Sequence, residues 1–210
     1  MLTNDTPAIL YLTKKDKRLA KIINEIGPLL YSPPLDYFAF LVQEIIEQML
    51  SKKTGQLIYQ HLLDICSGEI TPQKIYSFSD NELKGIGTST SKVNYLKALS
   101  KAVINNQLIL TELPNLPNED IIKKLTAIEG IGVWTAKMFL LFALNRPDIL
   151  PFEDTAFLQA YKWLYNTSDV NVVSIEKKCK KWKPYSSYAA RYLYKALDLG
   201  LTKNKFHLYK

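Results

Sequence analysis

Cysteine is almost missing from this 210-residue chain, which carries only Cys66 and Cys179, far apart. That pair excludes a disulfide framework and a four-cysteine zinc or iron–sulfur site. Histidine is as scarce: His61 and His207 stand alone and are assigned no role. Arginine occurs only as Arg18, Arg146 and Arg191, so lysine carries nearly all the positive charge. Long apolar runs are absent too. The longest, Met138 to Leu144, falls far short of the roughly 20 residues a membrane span needs. The opening MLTNDTP lacks the basic start and apolar stretch of a signal peptide. The expectation is a cytoplasmic protein with free thiols and no membrane partner.

What is present is an ordinary globular balance, 47% hydrophobic and 22% charged, with enough length for one domain or two small lobes. The net charge of +7 suits a polyanionic partner such as nucleic acid, and suits a lysine-rich surface equally well.

The apolar period is helical nearly throughout. Leu19, Ile22, Ile23 and Ile26 repeat at helix spacing until Gly27-Pro28 stops them. Phe38, Leu41, Val42, Ile45, Ile46 and Met49 form a longer stripe, and a further helix is expected from Gly55 to Ile65. Thr71-Pro72 reads as an N-cap followed by proline, and Ser79 and Glu82 have capping-box spacing. Val93, Leu96, Leu99, Val103 and Ile104 mark another helix. Val133 to Leu144 reads as a buried one, and Thr155 to Tyr165 follows a proline-bearing loop. Ser174 is expected to cap a lysine-rich helix, and the last helix to run from Tyr185 to Leu199. The patch from Ala8 to Leu12 is the one strand signal. The fold class is therefore all-α.

The stretch from 121 to 160 is the most informative. Glu129-Gly130-Ile131-Gly132 joins two helices, and its glycines permit a tight turn with positive φ. With Ile131 packed inward, the amides that open the next helix are left open to a phosphate oxygen. Asp154 stands just before a new helix, where a carboxylate can accept first-turn amides. An ordinary turn between helices and an ordinary N-cap are the plainer alternatives.

Together, LTAIEGIGVWTAKMFLLFALNRPDILPFED, FLVQEIIEQMLS (40–51), LKGIGTSTSKVNYLKALS (83–100) and KWKPYSSYAARYLY (181–194) resemble one family. It is the helix-hairpin-helix/GPD superfamily of DNA glycosylases, and within it the branch that removes alkylated purines, 3-methyladenine DNA glycosylase II. The likeness covers about residues 10–200. It implies a single compact domain over 1–210 with two helical lobes, roughly 36–115 and 1–35 with 116–210. It also implies a helix-hairpin-helix at about 119–144 and an active-site cleft between the lobes.

By the same resemblance Asp154 is the catalytic aspartate, and no redox cofactor is needed. Lyase-active relatives carry a nucleophilic lysine where this chain has Trp134; an indole cannot form a Schiff base, so a monofunctional enzyme leaving an abasic site is expected. Lys137, one turn on, is the local substitute and otherwise a phosphate-facing lysine. For a flipped cationic base the aromatic candidates are Trp134, Trp182, Tyr185, Tyr37 and Phe38. Met49 stands at the wedge position and Gln48 beside it is placed to support the opposite strand. Glu47 departs from the family, which usually has glycine there. Gly130, Ile131 and Gly132 would grip a phosphate, with an alkali ion as a possible bridge. The lysine run 177–183 and the second Gly-Ile-Gly, 85–87, are further phosphate candidates. The partner implied is duplex DNA with a damaged base, bound by a monomer. A non-catalytic helix-hairpin-helix module, a glycosylase for another modified base, and an all-α adaptor remain the competing readings.

Overall fold

Short polar side chains set where most helices begin. In the computed structural model, which describes Thr3 and residues 5–208, Ser51, Thr71, Ser89 and Asp36 each accept a hydrogen bond from an amide three residues on. Ser79 and Glu82 complete the expected capping box, with the Ser79 N–H donating 2.7 Å to Glu82 Oε2. Each such cap contributes about 1 kcal/mol to its helix. Of the opening segment, Met1, Leu2 and Asn4 lie outside the described residues, as do Tyr209 and Lys210.

The chain divides into two units. One is continuous, Pro34–Leu144, and holds α3 (Tyr37–Glu47), α4 (Lys52–Ile65), α5 (Pro72–Ser77), α6 (Asp80–Gly85), α7 (Thr90–Ile104), α8 (Asn118–Thr126) and α9 (Val133–Met138). A π-helical turn, Phe139–Ala143, continues α9. The apolar stripe of α3 is buried as its spacing requires, with Leu41, Val42, Ile45 and Ile46 at 0% exposure, except for its expected last member, Met49, which lies beyond the helix end at Glu47 and is fully exposed. Leu96 and Leu99 of α7 and Ile121 and Leu125 of α8 are equally buried.

The other unit joins the described residues of Met1–Pro33 to those of Asn145–Lys210. It holds α1 (Pro7–Lys15), α2 (Lys17–Ile26), α10 (Thr155–Tyr165), α11 (Val172–Cys179) and α12 (Ser186–Asp198). The segment 116–144 therefore belongs with the continuous unit rather than with the termini. The reason is that α8 and α9 pack on each other, and α9 and the π-helical turn pack on α3. Two smaller expectations also change. Ala8 to Leu12 is not a strand: it lies inside α1, with Ala8, Ile9 and Leu12 spaced to share one buried helix face. The cap of α11 is Asn171, which accepts from the Val173 N–H at 2.9 Å, rather than Ser174, which falls inside the helix.

No helix among the described residues is long and apolar enough to cross a membrane. Both cysteines are buried free thiols, and burial pushes both up from the usual thiol range.

A buried carboxylate ties this second unit together. Asp16 caps α2 by accepting from the Arg18 and Leu19 amides. Its other oxygen accepts from the Tyr165 hydroxyl, from Trp182 Nε1 at 2.9 Å and from Lys181 Nζ at 3.0 Å. Burial by itself pushes this carboxyl up, but the three donors and the Lys181 charge outweigh it and hold Asp16 below the ordinary aspartate value. A depressed carboxylate contributes stability that is present above the unfolded value near 3.8 and lost as pH falls through the folded one. Asp16→Asn is expected to cost about 3 kcal/mol near neutral pH, the scale of breaking a buried charge pair. Urea unfolding of both proteins should show that deficit shrinking as the wild type is taken below the unfolded value.

Candidate active site

The hairpin between α8 and α9 is built as its glycines imply, but the two glycines do different work. Gly130 has φ +87°, and an added Cβ would sit 2.1 Å from Cγ of Tyr95, so the Tyr95 ring packs directly on the bare turn. Gly132 is extended, with φ −90° and ψ 177°, and nothing lies within 4 Å of the place its Cβ would take. The positive φ expected of both belongs to Gly130 alone. Ile131 is buried at 4% exposure and anchors the turn, as its position between the glycines suggests. Gly132 opens α9 without a side-chain cap, and the partial positive charge of the helix start lies there.

Gln48 faces this hairpin rather than outward. Its Nε2 donates to the Gly130 carbonyl at 2.9 Å and to Thr135 Oγ1 at 3.1 Å. Thr135, buried at 1% exposure, was missed by sequence reasoning because it reads as one more core position of the helix. Next to Gln48, Met49 is fully exposed and has φ +59°, a left-handed conformation unusual for a branched-free side chain with a Cβ. Glu47 turns away to α4: its Cγ lies 2.7 Å from the point a Gly55 Cβ would occupy, and its Oε1 accepts from Gln43 Nε2 at 2.8 Å. The space that accommodates the carboxylate side chain is supplied by Gly55.

The carbonyls of Ile128, Gly130 and Gly132 already accept from Ile131 N, Gln48 Nε2 and Ala136 N. Among the described residues no cluster of three or more His, Cys, Asp or Glu could hold a metal.

In the other unit, the proline-bearing loop 145–154 is fastened to the start of α12. The Ser187 N–H donates to the Pro147 carbonyl at 3.0 Å, and Ser187 Oγ accepts from the Ile149 N–H at 2.8 Å. The Ser186 N–H donates to Asp148 Oδ1 at 3.3 Å. The loop ends at Asp154, buried at 8% exposure, whose Oδ1 accepts from the Phe157 N–H at 2.6 Å at the head of α10. The carboxylate is thus oriented by the helix it caps. Glu153 beside it is exposed.

The aromatic candidates separate by burial. Trp182 is at 0% exposure and donates to Asp16, so it belongs to the core and not to a base pocket. Phe38, expected as a pocket aromatic, is at 4% exposure within the α3 stripe and likewise belongs to the core. Tyr37 is half-buried and edge-on to Phe139, with centroids 5.4 Å apart. Tyr185 is half-buried between an edge contact to Tyr11 and a stacked contact to Tyr188. Trp134 and Lys137, both on α9, are half-buried. In the lysine run, Lys177, Lys178, Lys180 and Lys183 are exposed, while Lys181 is held by Asp16. At the second Gly-Ile-Gly, Ile86 is buried and its carbonyl accepts from His61 Nδ1 at 3.1 Å, so that turn is braced by the protein.

These features coincide with a known family. The model of the HhH-GPD superfamily of base excision DNA repair proteins matches residues 42–184. DNA-3-methyladenine glycosylase 1 of Schizosaccharomyces pombe is 30% identical over 208 residues, which is 95% of this chain and 91% of that protein. A DNA-3-methyladenine glycosidase from Bacillus halodurans superimposes with a TM-score of 0.83 at 33% identity, covering 97% of this chain and 95% of that one. The S. pombe 3-methyladenine DNA glycosylase in complex with abasic DNA gives 0.83 at 26% identity, covering 98% and 100%. With helices throughout, a glycine hairpin and an aspartate closing a proline loop, the chain belongs to the HhH-GPD superfamily of base excision DNA repair proteins.

Proposed function

We propose that this protein is a DNA glycosylase that hydrolyses the N-glycosidic bond of alkylated purines in duplex DNA, acting as a monomer and leaving an abasic site. The observation that carries the reading is Asp154, a carboxylate oriented by the Phe157 amide at the end of a loop fastened to α12. The relatives named as 3-methyladenine glycosylases, one of them bound to abasic DNA, support it.

The chemistry follows from charge. As the bond between the sugar and the base breaks, its electrons leave with the purine and positive charge builds on the sugar. A carboxylate beside that carbon stabilises the oxocarbenium-like state, as in glycosidases. Water then adds to the sugar carbon and gives its proton to the carboxylate. An alkylated purine already carries positive charge, so it departs without a strong acid. Gly130, Ile131 and Gly132 hold a phosphate at the head of α9, Lys137 adds a cation on the same helix, and Met49 fills the space left by the extruded nucleotide. Trp134 offers an indole face to the cationic base and provides no amine for lyase chemistry.

Incubation with methylated duplex DNA should release 3-methyladenine and 7-methylguanine and leave abasic sites. Tight binding with no free base would return the protein to a non-catalytic module. Trp134→Ala is expected to lower the preference for cationic over neutral lesions by roughly tenfold, the equivalent of about 1–2 kcal/mol of cation–π attraction. Unchanged selectivity would remove Trp134 from the base site.

A further inference from the structure

Met49 poses a mechanical problem. Its side chain is fully exposed, so no packing holds it, and its φ of +59° costs about 1 kcal/mol for a residue with a Cβ. Such a conformation persists only where the surroundings over-determine it. The preceding helix, α3, ends at Glu47, and the carbonyls at a helix end lack intrahelical partners.

The Leu50 N–H closes this turn on the Glu47 carbonyl at 3.1 Å, and one side chain braces it from another helix. Lys92, near the start of α7, donates through Nζ to the Ile46 carbonyl and to the Gln48 carbonyl, each at 2.7 Å. An ammonium at the negative end of a helix is favourably placed. Lys92 is itself seated by its own N–H, which donates to Ser89 Oγ at 3.3 Å. Burial pushes the Lys92 ammonium below its usual value, so the side chain gives up hydration that a solvent-facing lysine would keep. On the opposite side, the Gln48 side chain is fastened to Gly130 and Thr135. Gln48 is therefore gripped by its backbone from α7 and by its amide from the hairpin.

We propose that Lys92 is a positioning residue of the wedge: its clamp on the Ile46 and Gln48 carbonyls presents Met49 already set, in fixed register with the phosphate-gripping hairpin. The inference rests on the wedge reading of Met49. A lysine after a Gly-Ile-Gly turn reads from sequence as a phosphate contact; here its ammonium is turned onto protein carbonyls instead. A pre-set wedge spares the complex the ordering of the loop when the base is extruded.

A double-mutant cycle tests it, using single-turnover base release at saturating enzyme from a methylated duplex. Lys92→Met is expected to slow the maximal rate by roughly tenfold, and Met49→Ala by as much or more. The double variant should be no slower than Met49→Ala alone, because Lys92 acts through Met49. Opposite an abasic site, where extrusion breaks no base pair, the Lys92→Met penalty should shrink to about twofold. Lys92→Arg, which keeps the donors, should recover most of the rate. If Met49→Ala leaves the rate unchanged, the wedge reading fails and takes the clamp with it. If Met49→Ala slows release but Lys92→Met has no effect, or adds in full, the clamp alone is overturned. Should thermal unfolding show Lys92→Met misfolded, Lys92→Gln is carried through the same cycle with the same criteria. A wild-type chain that releases no base overturns both.

Discussion

Asp154→Asn is expected to fold and bind duplex DNA while its release of methylated purines falls by about 10²–10⁴-fold, the usual range for a positioned acid–base group. The variant separates two roles that one side chain combines. Asp154 caps α10 through Oδ1, and asparagine is about as good an N-cap as aspartate, so the bond from the Phe157 amide is kept. The bonds that fasten the loop to α12 run through Ser186, Ser187 and Asp148 and are untouched. What asparagine lacks is the negative charge that the proposed mechanism sets against the developing cation, and the ability to take a proton from water. Free purines measured by chromatography, alongside unfolding temperature and duplex affinity, distinguish the cases. A variant with normal release would reduce Asp154 to a helix cap. One that fails to fold would show that the carboxylate is chiefly structural.

Gly130→Ala is expected to have the second largest effect, and Gly132→Ala almost none on stability. At Gly130 the new methyl carbon would overlap the Tyr95 ring, 2.1 Å from Cγ and 2.4 Å from Cβ, at a backbone φ of +87°. The turn must move off α7, and with it the Gly130 carbonyl that Gln48 holds. We expect a loss on the order of 2–4 kcal/mol in stability, the range reserved for strain and overpacking. Duplex affinity should fall by roughly tenfold, with a salt dependence shallower by about one phosphate contact. At Gly132 the extended backbone and open space tolerate alanine, within about 0.5 kcal/mol in stability. Equal, small losses at both glycines would count against Tyr95 as the reason Gly130 is glycine.

Much of the helical plan was legible from the chain itself, because caps and apolar period are local. Ser79 with Glu82, Thr71 with Pro72, and the stripe from Phe38 to Ile46 are buried or bonded as their spacing requires. Local order misled where an apolar run was short: Ala8 to Leu12 satisfies a strand pattern and a helix pattern alike, and only its neighbours decide. Ser174 failed as a cap because Asn171, three residues earlier, took the role first.

The family was legible in residue types and spacing, and side-chain orientations were not. The Gly-Ile-Gly hairpin, the aspartate closing a proline loop and the family these imply are properties of linear spacing, and the amino-acid order determined them. Composition could not say which aromatics face a base. Trp182, a weaker candidate than Trp134, leaves the set once burial places its indole on Asp16, a contact between residues 166 positions apart. The same holds for Lys92, Gln48, Tyr95 and Ser187. Their partners lie on helices, turns and loops far along the chain, and a polar side chain turns toward the groups that packing leaves unsatisfied. Only the tertiary structure decided that, because burying a carbonyl or an ammonium without a partner costs more than turning a long side chain toward one.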